Sequence, residues 1–285
     1  MRAGVAGDIE GACTGMPRLS LDHITAVDTD PVGLVKAAAG AGCAGICLFL
    51  QSMEVLPHMP RYDLVGDKAA RTDCAAAMKD LSVNLDLAYP FTMAGRTEVS
   101  QFAAALECAA ELGAPLANLL VYDREPGRRL DRFGAFCDLA RTFGLGTAVE
   151  FYPVSQVRSL GEALELVEAI DRPGEVGVNV DILHLMRSGG SIADLVAAPA
   201  YQILYGQICD GPERVAPERL GEEASSARLL AGEGVFEIAA FARALPGDCP
   251  VSVEIPRDAA LVAGVGPTAR ASRAVDSVRQ ILAAA

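Results

Sequence analysis

The chain has 285 residues, 51% of them hydrophobic, and a formal net charge of −13. That length suits one large α/β barrel and the apolar share fills a sizeable core, while the acidic balance disfavours nucleic acid and anionic membrane surfaces as partners. No apolar run approaches a membrane span, and the opening MRAGVAGDIEGACTG lacks a signal-peptide core, so the expected location is cytoplasmic.

In chain order, residues 1–17 read as an N-terminal extension and the rest as one domain running to residue 285. The first predicted strand is Leu19–Thr25. Asp30 and Pro31 then form an N-cap with proline at the first helical position, and Gly40 and Gly42 close that helix. Strand two, Gly45–Leu50, precedes a long loop, QSMEVLPHMPRYDLVGD, whose Met53, Leu56, Pro57, Met59 and Tyr62 suit a cover for a barrel mouth. Further strands are predicted at Ser82–Leu87, Leu116–Val121, Gly146–Phe151, Val176–Asp181, Gln202–Cys209 and Pro250–Glu254. Helical stretches from Thr97 to Gly113 and from Gly127 to Gly144 end on glycine, as helix C-termini prefer. Eight strands alternating with helices imply parallel pairing, and in this length a closed (β/α)₈ TIM barrel. A nucleotide-binding open sheet would want GxGxxG after the first strand, and none is there.

Chemistry in such a barrel sits at the C-terminal ends of the strands. Strands five to eight end in TAVEFYP, VNVDILH, YGQICDGP and VSVEIPR, each presenting one oxygen-bearing side chain: Glu150, Asp181, Gln207 and Glu254. Period-two alternation puts these on the faces of Ala148, Asn179, Tyr205 and Ser252. If those faces point inward, three carboxylates and an amide oxygen converge, and like charges so close require a cation. Oxygen ligation suits one divalent Mn²⁺ or Mg²⁺, with Co²⁺ tolerated.

With these residues in hand, the chain resembles the xylose isomerase-like TIM barrel superfamily, which includes sugar phosphate isomerases and epimerases. The resemblance covers nearly the whole chain and is strongest from Gly146 onward. It rests on the metal set Glu150, Asp181, Gln207 and Glu254, on His184 three residues past the metal-binding aspartate, and on RLLAGEG at Arg228–Gly234. Glutamine in the third ligand position, with an ICDGP-like loop, is similar to hydroxypyruvate isomerases and 3-dehydroshikimate dehydratases. The resemblance implies metal-assisted chemistry beside a carbonyl, with Glu150 and Glu254 as the acid/base pair and His184 orienting a ligand or touching substrate. Returning the proton to another carbon isomerises, returning it to the opposite face epimerises, and expelling a β-hydroxyl dehydrates.

The remaining residues narrow these choices. His23, Arg214, Arg257 and Tyr152 are candidate substrate contacts, against alternatives of a core histidine and surface ion pairs, and His58 reads as exposed loop. RSGGS at 187–191 fits an anion nest or a plain Ser191 N-cap equally. Lys36, Lys68 and Lys79 lie beside the first two helices, so a Schiff-base mechanism lacks its nucleophile. Eight scattered cysteines without CxxC pairs read as reduced thiols, and three histidines are too few for a multi-zinc endonuclease. The leading expectation is a metal-dependent isomerase or epimerase of a hydroxy-ketone or sugar-like compound. A lyase acting on a cyclic or partly apolar hydroxy-carbonyl follows, favoured by Phe91, Met93, Phe151 and Tyr152 near the mouth. A non-catalytic binding subunit comes third, and the long apolar loop fits a homodimer.

Overall fold

In the computed structural model, which describes residues 18–285, short apolar strands hydrogen-bond side by side in parallel until the last meets the first. The elements are, in order, β1 (Leu19–Asp22), α1 (Pro31–Gly40), β2 (Gly45–Phe49), α2 (Lys68–Leu81), β3 (Asn84–Met93), α3 (Ala103–Glu111) and β4 (Leu116–Val121). There follow α4 (Pro126–Thr142), β5 (Gly146–Glu150), α5 (Leu160–Ile170), β6 (Val176–Asp181), α6 (Ile182–Arg187) and α7 (Ile192–Ala197). The chain ends with β7 (Ile203–Ile208), α8 (Leu220–Ser226), α9 (Ile238–Ala244), β8 (Val251–Val253), α10 (Asp258–Val262) and α11 (Pro267–Ala283). β1 pairs with β8 at Leu21↔Val253, closing the barrel. The anticipated extension, with Cys13, lies outside the described residues. The seven cysteines within them are all free thiols, and no helix among them is long and apolar enough to cross a membrane.

Strand alternation divides the apolar residues into two cores. Leu21, Leu48, Val149, Val180, Ile208 and Val253 point outward and pack beneath the helices. Cys47, Leu87, Ala148 and Tyr205 point inward and fill the barrel below its mouth, where the Tyr205 hydroxyl meets Cys47 Sγ at 3.0 Å. The faces assigned from the sequence are therefore the inward ones for Ala148 and Tyr205.

Local chemistry sets the boundaries. Asp30 caps α1 by accepting from Gly33 N at 2.7 Å, and Ser191 and Asp194 form a reciprocal capping box on α7. RSGGS is thus turn and cap. Gly113 and Gly144 follow α3 and α4 with φ of 81° and 77°, the left-handed conformation glycine adopts without penalty.

β2, β5, β7 and β8 end within one residue of expectation, and the larger differences lie at β1, β3 and the helix after it. β1 stops at Asp22 instead of Thr25 because the Asp22 carboxylate accepts from Ile24 N and caps a 3₁₀ turn, His23–Ala26. β3 starts at Asn84, after Ser82 turns left-handed to close α2, and runs on to Met93. Pro90 within it offers no N–H, and the pairing with β4 shifts register between Ala88 and Phe91. The helix expected from Thr97 begins as a 3₁₀ turn, Val99–Phe102, and becomes α-helical only at Ala103.

Candidate active site

Glu150 ends β5 and Asp181 ends β6, while Gln207 lies one residue before the end of β7 and Glu254 directly follows β8. All four are buried at the C-terminal mouth. Asp181 also caps α6, accepting from Leu183 N at 2.8 Å. The first turn of that helix swings His184 back over the strand ends, with Nε2 3.3 Å from Glu150 Oε1 and 3.5 Å from Asp181 Oδ2. Ligand atoms of Glu150, Asp181 and His184 lie within 4.8 Å of one another, and the Tyr152 ring covers the imidazole at 4.6 Å.

Arg228 enters this cluster from the loop before α9. Its Nη1 donates to Asp181 Oδ2 and its Nη2 to Glu254 Oε1, both at 2.7 Å, and only 1% of its side chain is exposed. The loop is held by Asp210, just past β7, which accepts from Gly211, Gly232, Gly234 and Phe236 N–H groups at 2.8–3.0 Å. A Cβ at Gly234 would lie 2.2 Å from Gly211 O, so only glycine permits that approach. The RLLAGEG segment is thereby a device for inserting a guanidinium between two carboxylates, a role the sequence reading did not give Arg228.

A row of amides, also missed, joins the two glutamates. Asn118 on β4 donates to Glu150 Oε2 at 2.5 Å. Asn179 on β6 donates to Asn118 Oδ1 at 3.1 Å and to Gln207 Oε1 at 2.6 Å. Gln207 Nε2 in turn donates to Glu254 Oε2 and, at 3.2 Å, to Asp22 Oδ2. Carboxylates at both ends accept only, so every amide is oriented by its neighbours. Gln207 therefore stands at the site with its N–H groups toward the carboxylates and its oxygen toward Asn179. Gln207, expected as an oxygen ligand, is in place at the mouth with its amide oxygen on Asn179, and His184 adds a nitrogen within 3.5 Å of both Glu150 and Asp181.

Electrostatics follow from burial. Desolvation pushes the Asp22 carboxyl up to about 6, opposed by hydrogen bonds from Tyr89 and Ile24 and by the charge of Arg228. Burial raises Glu254 well above the usual carboxylate range, with Arg228 pulling it down and Asp22, Asp181 and Glu150 pushing it up. Burial opposes the charge on Arg228, yet Asp181 and Glu254 more than offset this and hold it protonated. Four buried carboxylates against one guanidinium form a donor set that a divalent cation suits. The mixed oxygen and nitrogen ligands of Glu150, Asp181 and His184, with Glu254 alongside, fit zinc or cobalt as well as manganese.

The cavity above this cluster holds about 390 Å³. Glu150, Glu254, His184, Arg228, Gln207 and Tyr152 belong to its lining, and Ile24, Phe49, Met53, Leu56, Tyr89 and Leu120 make its apolar side. The loop after β2 thus contributes to the mouth as expected, and Gly221 and Ser225 of α8 close the opposite rim. Arg187 ties that helix to α6 through Glu223 at 2.6 Å.

The other expected contacts lie elsewhere. His23 is fully buried beside the barrel, its Nε2 3.0 Å from Thr29 O and its Nδ1 accepting from Phe49 N at 3.4 Å. It is the satisfied core histidine of the two alternatives. Arg214 extends into solvent with 91% of its side chain exposed, and Arg257 pairs with Glu233 at 3.3 Å; neither lines the cavity. Phe91, Met93 and Phe151 pack outward under the helices: Phe151 by strand parity, and Phe91 and Met93 because the register shift between Ala88 and Phe91 reverses the alternation, leaving Pro90 and Thr92 to line the cavity. His58 pairs with Asp258 at 3.5 Å on the surface.

Comparison with known proteins agrees with this architecture. The family described as xylose isomerase-like TIM barrel matches residues 35–281, and the chain belongs to that family. No curated protein matches its sequence. Among solved structures, the IolI protein with a bound zinc atom is 17% identical, with 94% of this chain and 98% of that one covered and a TM-score of 0.73. The probable 3-DHS dehydratase AsbF of Bacillus anthracis is 16% identical over 92% and 97% of the two chains, with a TM-score of 0.68. D-allulose 3-epimerase from Methylomonas sp., in complex with D-allulose, is 15% identical over 93% and 98%, with a TM-score of 0.64. A fusion of a xylose isomerase-like barrel with 4-hydroxyphenylpyruvate dioxygenase is 20% identical with a TM-score of 0.74; 94% of this chain matches 43% of that longer one. At such identities the likeness shows the fold.

Proposed function

We propose that the chain is a divalent-metal-dependent isomerase or epimerase acting beside the carbonyl of a hydroxy-ketone. The observation that carries this is the convergence of Glu150, His184 and Glu254 on the floor of one cavity, with Asp181 buried beside Glu150 and His184 and with Arg228 and the amide row fixing their directions. Glu150, Asp181 and His184 would hold the metal, with Glu254 the adjacent carboxylate. Bound there, the cation supplies a positive charge against the oxygen that becomes negative as a proton leaves the neighbouring carbon. Glu150 and Glu254 approach the cavity from β5 and from the end of β8, placing one carboxylate to take a proton and another to return it. Asn118 and Gln207 hold those carboxylates in direction, and Tyr152, its ring tilted against His184, offers a hydroxyl to the substrate. The zinc in the IolI structure and the epimerase among the similar folds support the same reading.

A second reading, dehydration, is favoured by the apolar side of the cavity, which suits a cyclic or partly apolar hydroxy-carbonyl. Both begin with the same proton removal. The test is to incubate metal-loaded protein with hydroxy-ketones in D₂O and follow exchange at the carbon beside the carbonyl. Exchange without a new absorbing alkene supports isomerisation or epimerisation, an absorbing alkene supports dehydration, and no exchange with any compound contradicts both.

A further inference from the structure

From the charge and shape of the cavity, we propose that its substrate is an uncharged hydroxy-ketone bearing an apolar ring or alkyl group, and that phosphorylated and carboxylated compounds are excluded. This rests on the reading of the site as one for carbonyl chemistry, and it extends that reading to what the rest of the substrate must be.

The first support is a shortage of positive charge. A phosphate or carboxylate needs a guanidinium, an ammonium or a set of free N–H groups. Among the described residues Arg228 is the arginine of the cavity lining, and its two Nη atoms already donate to Asp181 and Glu254. No lysine lines the cavity; Lys36 lies on α1, and Lys68 and Lys79 on α2. Arg214 and Arg257 point elsewhere. Asp22, Glu150, Asp181 and Glu254 are all buried at or beside the floor. With His184 neutral as a ligand, even a divalent cation leaves no positive excess. An anionic group would lose its hydration and gain repulsion.

The second support is the wall. Phe49 and Tyr89 pack edge to face at 4.3 Å, and with Ile24, Leu56 and Leu120 they present a continuous apolar side to the cavity. Met53 and Val55 continue it to the rim, where Val55 remains 78% exposed. Water against such a surface is displaced favourably by an apolar substituent, but not by a hydroxyl-covered chain. The cavity's 390 Å³ falls in the range of roughly 300–1,000 Å³ that ligand pockets occupy, well beyond a triose. The polar handles on the opposite side are hydroxyls. Tyr122 and Tyr152 line the cavity there, and a phenol hydroxyl can donate to a neutral oxygen.

Three probes share one hydroxymethyl-ketone group and differ only in the remainder: dihydroxyacetone, dihydroxyacetone phosphate and 2-hydroxyacetophenone. Their binding to zinc-loaded protein freed of excess ion is read by calorimetry. The proposal expects 2-hydroxyacetophenone to bind about tenfold more tightly than dihydroxyacetone, and the phosphate more weakly than both. Met53→Ser should narrow the first difference, and Val55→Lys should strengthen phosphate binding by placing a cation at the rim. Phosphate binding equal to or tighter than that of the aryl ketone, or equal binding of all three, overturns the proposal. So does an absence of binding by all three. Solvent deuterium exchange on the same samples separates the two levels. Tight aryl-ketone binding without exchange defeats the carbonyl chemistry but leaves the specificity standing; exchange best with the phosphate does the reverse.

Discussion

The two halves of the barrel mouth are built on opposite principles. On the side of β1–β3, Ile24, Phe49, Leu56 and Tyr89 are buried against one another, and their burial adds to stability at the usual rate for apolar area. On the side of β5–β8, Glu150, Asp181 and Glu254 are buried as densely, but each costs desolvation that only a partner can offset. Arg228 is the partner for two of them. One half of the mouth supports the fold and shapes recognition, while the other spends stability to keep charge where chemistry needs it.

The largest effects should follow from breaking the charged half. Glu254→Gln and Glu150→Gln keep the side-chain shape but remove a base, and each should lower solvent deuterium exchange by roughly 10²–10⁴-fold, measured by NMR in D₂O. Exchange within threefold of wild type in both would remove them from the proton path. Arg228→Met leaves Asp181 and Glu254 uncompensated and should cost about 3–5 kcal/mol by urea unfolding of the metal-free protein. Added zinc should restore more of the midpoint in this variant than in wild type, because the cation then takes over the pairing. A variant as stable as wild type without metal would show that the guanidinium is dispensable.

Smaller effects belong to the apolar half. Burial holds His23 down at about 4, so the unfolded chain binds the proton first as pH falls below its ordinary value near 6.5. Stability is therefore fully present above about pH 6.5 and is lost as pH falls toward 4, by about 3 kcal/mol in all. His23→Gln should flatten that part of the stability–pH curve, read by urea unfolding at several pH values; an unchanged slope would contradict the assignment. Least of all, Leu120→Ala at the cavity wall should cost about 1 kcal/mol or less in stability. It should weaken 2-hydroxyacetophenone binding several-fold and leave metal content untouched.

The charged half was also the more legible in the sequence, for a physical reason. A carboxylate closing an apolar strand is conspicuous, and strand parity carries its direction, so Glu150, Asp181 and Glu254 could be placed together before any coordinates. His184 followed from its spacing to Asp181. Arg228 escaped because its position depends on a loop folded around Asp210, a tertiary event without local periodicity. Asn118 carries a signal, one amide inside the apolar run LANLLV, but β4 has no carboxylate at its end to mark it as part of the set. Gln207 was correctly located at the mouth, whereas the orientation of its amide is set by Asn179 and Glu254 on neighbouring strands. The eight strands and their order were legible from the alternation with helices. The early end of β1 and the extension of β3 were not, because one depends on a side-chain cap and the other on pairing with β2 and β4.

The central claim is that the buried carboxylates and His184 hold a cation. Elemental analysis of protein purified without chelators, beside Glu150→Gln and Glu254→Gln, tests it most directly. The account predicts about one divalent ion per chain in wild type and clearly less in each variant. No bound metal in folded wild-type protein, even after incubation with Zn²⁺ or Mn²⁺, would contradict it.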